Sequence, residues 1–102
     1  MGRTVDISNK LSTEKPKIAL DHKFYFVDDS VQNVIEVTKL SESGDLASII
    51  KALEMTLGKE ACKEIGIRNK SVADLLVIFT AVNASIMDIS YEEAEKRFQN
   101  GQ

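Results

Sequence analysis

Cysteine, histidine and proline each occur once in this sequence, and each scarcity removes a class of chemistry. With Cys62 alone, no intramolecular disulfide can form. Its neighbours Ala61 and Lys63 supply no base to activate a thiolate. Cys62 reads as a small half-buried residue of a short helix, and a reducing interior is its natural compartment. A structural zinc ion needs four Cys or His ligands, so this chain cannot build such a site within itself. His22, the single histidine, falls at the expected tip of a hairpin, a wet position that suits neither a general base nor a metal ligand.

The usual catalytic signatures are missing too. There is no phosphate-cradling glycine loop, no dinucleotide fingerprint and no Gly-x-Ser-x-Gly elbow, and Gly58 and Gly66 read as helix stops. Asp28-Asp29 and Glu92-Glu93-Glu95 are acidic enough to attract a divalent cation, yet they lack the glycine-punctuated spacing of a calcium loop. Acids at helix starts are favoured by the helix dipole alone. The expectation is a protein with no catalytic residues, no metal and no cofactor.

Charge of one sign is also lacking. The net charge is −3, acids and bases alternate along the chain, and no Lys/Arg stripe is present. With an isoelectric point near 5.1, nucleic acid is excluded as the expected main partner. The first residues contain no apolar core of a secretory signal, and Asp6 stands where a myristoylation start wants Ser or Thr. The longest apolar stretch, Val72–Met87, is short for a bilayer and is interrupted by Asp74, Thr80, Asn83 and Ser85. A cytoplasmic protein without a membrane partner is expected.

What is there is a globular mix: 43% hydrophobic and 28% charged residues, in a length that makes one domain and buries roughly 65% of its unfolded surface. Residues 1–16 are polar and aperiodic, and read as a flexible arm before a single domain at 17–102. Residues 17–27 hold two β-prone runs around Asp21-His22-Lys23, a short hairpin. Asp28-Asp29-Ser30 offers oxygens to cap a helix, with Gln32 in capping-box spacing from Asp29. That helix carries Val31, Val34, Ile35 and Leu40 and is broken from Ser41 to Asp45, where Gly44 can end it and Asp45 can cap the next.

The next helix, Leu46–Leu57, repeats Leu46, Ile49, Ile50, Leu53 and Leu57 at three- and four-residue spacing. A shorter helix, Lys59–Ile65, stops at Gly66, and residues 67–70 form a link. Ser71 opens the most apolar helix in capping-box spacing with Asp74. Val72, Leu75, Leu76, Phe79, Val82 and Ile86 form one stripe, and Val77, Ile78, Ala81 and Ala84 make the other face apolar, so its expected place is the centre of a bundle. Ser90 and Glu93 start the last helix, which carries Tyr91, Ala94 and Phe98 on one side. The fold class expected is mainly α: a small bundle of four to five helices with a short N-terminal β-hairpin.

Binding leaves fainter traces than catalysis. Phe24-Tyr25-Phe26 is apolar on both faces of its strand, and a lone two-stranded hairpin has open edges. Interfaces are enriched in Tyr, Phe and Met. The candidate partner-binding residues are therefore Tyr25, Met87, Tyr91 and Phe98, and a homo-oligomer is expected.

Over roughly residues 17–98 the order of features resembles the tail assembly chaperones of long-tailed bacteriophages and prophages. It lies in the hairpin with Phe24-Tyr25-Phe26, Asp28-Asp29-Ser30 opening a helix, and Ala52-Leu53-Glu54-Met55-Thr56-Leu57-Gly58. Ser71 before an apolar helix and Tyr91-Glu92-Glu93-Ala94-Glu95-Lys96-Arg97-Phe98 complete it. The resemblance implies a non-enzymatic protein of the bacterial host cytoplasm that self-associates and binds tape-measure and tail-tube proteins during tail assembly. It assigns no contact to any residue here. Rival readings are a structural minor tail or head–tail connector protein, and an unrelated helical regulator that binds one partner helix.

Overall fold

The structure is a computed structural model that describes residues 2–11 and 14–99, with side chains through residue 97. Five helices follow an antiparallel hairpin, as the sequence indicates. The hairpin is β1 (Lys17–Leu20) and β2 (Lys23–Phe26), and the helices are α1 (Val31–Ser43), α2 (Leu46–Leu57), α3 (Lys59–Ile65), α4 (Val72–Met87) and α5 (Tyr91–Gln99).

Leu20 pairs with Lys23 across a two-residue turn, and both turn residues lie in the left-handed region, Asp21 at φ 52° and His22 at φ 68°. Two positive φ values in succession make the tight turn whose twist matches the strands it joins. Ile18 and Tyr25 form one pair facing the helices, while Lys17, Ala19, Phe24 and Phe26 share the outer face. β1 rests on α4, and Ile18 joins the core there. The pairing continues past the strands, since the Val27 N–H donates to the Pro16 carbonyl (2.9 Å) and the Asp28 N–H to the Thr56 carbonyl of α2 (2.8 Å).

α1 and α2 form an antiparallel helical hairpin around Gly44, whose φ of 73° closes α1. Two expectations about α1 need correcting. Its first residue is capped by position rather than by a capping box: Ser30 makes no side-chain cap bond, and Asp28 instead accepts from the Ser30 N–H at 3.0 Å. The helix also runs on to Ser43 rather than breaking at Ser41, whose hydroxyl folds back onto the Val37 carbonyl (2.9 Å). The caps expected further along are present. Asp45 accepts from Ser48 N–H (2.7 Å), Ser71 from Asp74 N–H (3.1 Å) and Ser90 from Glu93 N–H (3.1 Å).

The core joins Ile18 and Val27 of the hairpin region, Val37 of α1, Ile49, Ala52, Leu53 and Leu57 of α2, and Leu75, Ile78, Phe79 and Val82 of α4. Leu53 has no exposed surface at all. Ile67, placed in a link by its sequence, is buried within a single 3-10 turn at Ile67–Asn69, and Cys62 is buried rather than half-buried.

The largest departure concerns α4. It is not enclosed on every side: Val72, Val77 and Leu76 remain 52%, 49% and 42% exposed. Five short helices and a small hairpin do not supply enough neighbours to wrap a sixteen-residue apolar helix completely. α5 leaves α4 through a bend of 107° and packs back against it, burying Ala94. Among the described residues no single helix is long and apolar enough to cross a membrane.

Residues 2–11 are exposed throughout and contain a 3-10 turn at Ser8–Lys10. The Asp6 carboxylate starts that turn by accepting from the Ser8 N–H (3.0 Å) and hydroxyl (2.7 Å).

Candidate functional site: an apolar cleft between α1, α4 and α5

The incomplete cover of α4 leaves a cleft of about 630 Å³ between α1, the start of α2, α4 and α5. Its floor is apolar. Leu76, Phe79 and Met87 come from α4, Ile49 from α2 and Ala94 from α5. Three- and four-residue steps along α4 bring Leu76, Thr80, Asn83 and Met87 onto one face, which is the wall of the cleft.

The polar groups on these walls are already engaged. The hydroxyls of Thr38 and Ser41 donate to the Val34 and Val37 carbonyls, and Thr80 donates to Leu76 at 2.7 Å. The Asn83 amide likewise donates to the Phe79 carbonyl at 2.9 Å. Each bond returns to the carbonyl four residues earlier in the same helix, so these donors are spent. Apolar side chains of a partner would cover Leu76 and Met87, which stand in water here.

Two charges stand at the edge, Glu42 from α1 and Arg97 from α5. The Arg97 guanidinium lies 3.6 Å from Glu93 and donates to the Met87 sulfur, also at 3.6 Å. α5 therefore holds both a wall of the cleft and the position of Met87.

The expected partner-binding residues divide. Met87 lines the cleft and is 41% exposed. Tyr91 is half-buried at the start of α5 and is not a lining residue. The side chain of Phe98 lies outside the described residues. Tyr25 is distant in role: it packs half-buried against the core on the inner face of the hairpin. Its hydroxyl donates to the Glu64 carboxylate at 3.0 Å, and Lys23 pairs with the same carboxylate. Burial and then this bond raise the Tyr25 phenol above its ordinary value. The bonds from Lys23 and Tyr25 hold the Glu64 carboxyl below its own. The hairpin aromatics that face solvent are Phe24 (66% exposed) and Phe26 (63%), with the Lys17 ammonium 4.8 Å above the Phe24 ring. Strand alternation could have separated Tyr25 from its neighbours; which face would be inside could not be read from a strand apolar on both.

A smaller pocket of about 440 Å³ lies beside α3, bounded by Glu54, Cys62, Ile67 and Arg68. Burial, with the Glu54 charge second, pushes the Cys62 thiol up to about 11, the opposite of what a nucleophile needs. Glu54 and Arg68 stand 3.7 Å apart across it. Among the described residues no group of three His, Cys, Asp or Glu side chains is placed to hold a metal ion.

Compared with known proteins, the chain matches no family model, no curated protein and no solved structure.

Proposed function

We propose that this is a non-enzymatic binding protein that holds an amphipathic helix of a client protein in the cleft between α1, α4 and α5. The observation that carries the reading is a cleft with an apolar floor, flanked by Thr80 and Asn83 whose side chains donate back into their own helix. Helix-in-groove recognition uses this kind of surface, with anchors at three- and four-residue spacing on the incoming helix. Glu42 and Arg97 give the groove a direction: a basic residue on the client belongs at the α1 side and an acidic residue at the α5 side.

The finer reading is a phage tail assembly chaperone whose clients are the tape-measure and tail-tube proteins. It is supported by the order of features along residues 17–98 and agrees with a surface built for side chains rather than substrates. Its test is co-expression with the tape-measure protein of a long-tailed phage. Co-purification lost in Leu76→Glu, with the helical spectrum retained, is the expected result. Finding the chain in purified phage particles instead would favour a structural tail component.

A further inference from the structure

We propose that the free edge of β2 pairs with the β2 edge of a second copy, making a continuous four-stranded sheet across a two-fold axis. In an antiparallel ladder, directly opposed residues alternate between bonded and non-bonded pairs. The bond from Val27 to Pro16 fixes the phase: Ile18 with Tyr25 and Leu20 with Lys23 are the bonded pairs of the hairpin. The N–H and C=O groups of Phe24 and Phe26 therefore point away from β1. Among the described residues no backbone group answers them, whereas the next outward N–H, that of Asp28, is taken by Thr56. The same phase turns the groups of Lys17 and Ala19 outward on β1, but that is the strand lying against α4.

The occupant is a second copy because one antiparallel register satisfies the outward groups of Phe24 and Phe26 in both copies at once. Setting Phe24 opposite the other copy's Phe26 makes both of those pairs bonded and puts Tyr25 opposite its equivalent on the axis. Shifting the pairing by two residues in one direction calls on the Asp28 N–H, which is occupied; in the other direction it runs into the turn at His22. Phe24 and Phe26, which are otherwise exposed, become a cross-strand aromatic row. The edge is only about 13 Å long at ~3.3 Å per residue. It falls well short of the ~800 Å² per partner of a stable interface, so association is weak and concentration-dependent. This pairing does not depend on what fills the cleft.

The test uses the full chain. Sedimentation from micromolar to millimolar concentration should show a monomer–dimer equilibrium. Phe26→Pro removes an outward N–H that the hairpin does not use, and should weaken dimerisation at least tenfold while the helical spectrum is kept. For register, Tyr25→Cys should give a disulfide-linked dimer on mild oxidation, because facing Cα atoms in a non-bonded pair lie about 4.5 Å apart. Phe24→Cys should not, its equivalents being about 8 Å apart on the diagonal. The wild-type chain, with Cys62 buried, is the control. A monomer throughout the concentration range, an undiminished dimer in Phe26→Pro, or equal cross-linking of the two cysteine variants would overturn the proposal. If Tyr25→Cys unfolds, the sedimentation of wild type and Phe26→Pro decides it.

Discussion

The cleft and the hairpin both leave large apolar side chains in water, but they differ in what the backbone beneath is doing. Along α4 every carbonyl near the cleft is inside a helical ladder or takes a side-chain bond from Thr80 or Asn83. What remains to offer is side-chain surface, and a partner must bring side chains to it. Along β2 the side chains of Phe24 and Phe26 are exposed and their backbone groups are unanswered as well. A partner there must bring a strand. Exposed hydrophobicity alone would have grouped the two regions together; the hydrogen-bond accounting separates them.

The largest expected effect sharpens the contrast between the buried floor of the cleft and its exposed wall. Phe79→Ala, at a buried position, should cost about 3–5 kcal/mol, a large part of a stability of about 5–15 kcal/mol, and lower the melting temperature clearly. Leu76→Ala, one turn away and largely exposed in the cleft wall, should cost about 1 kcal/mol or less. Equal losses at the two sites would mean that the cleft wall is core.

Next in size is the cap that sets the start of α4. Ser71→Ala removes the acceptor for the Asp74 N–H and should cost about 1 kcal/mol in a denaturant titration. A smaller effect of opposite sign belongs to the hairpin turn. His22 sits at φ 68°, where glycine is unstrained, so His22→Gly should stabilise by about 0.5 kcal/mol after glycine's extra chain entropy is counted, read from the same titration.

The smallest effect is one of pH, and it concerns the tie between the hairpin and α3. The Glu64 carboxyl is held below its ordinary value by Lys23 and Tyr25, so its contribution is present above the unfolded value near 4.5 and is lost as pH falls below it. The Lys23 ammonium is raised by Glu64, so its share is complete below about 10.5 and disappears as pH rises further. Stability should therefore be level from about pH 4.5 to about 9, above which ionisation of the Cys62 thiol in the unfolded chain draws it down, and Glu64→Gln should shrink the acid limb. Glu64 and Lys23 are both exposed, so the change is modest.

Much of this fold was legible from residue order. The hairpin turning near Asp21-His22, the caps at Asp45, Ser71 and Ser90, and the stops at Gly44, Gly58 and Gly66 are local chemistry that survives folding, while Lys23, expected in the turn, begins β2. The site was legible only in part. Met87 was singled out and lines the cleft, but Leu76 and Asn83 were not, because whether an apolar helix is wrapped or half-open depends on how many neighbours reach it. The angle at which α5 returns onto α4 is likewise a tertiary outcome. On the hairpin, composition drew attention to Tyr25, while the register turned its side chain inward and left Phe24 and Phe26 outside. Ile67 was missed because a buried residue in a single turn leaves no periodic trace.

The central claim is that the α1–α4–α5 cleft is where a client protein binds. A photo-reactive amino acid at Leu76, compared with one at the exposed Lys63 of α3, tests it most directly during co-expression with the tape-measure protein. A cross-linked client is expected from position 76 and none from position 63. Cross-links of equal yield at both positions, or none at position 76 from a complex that still co-purifies, would contradict it.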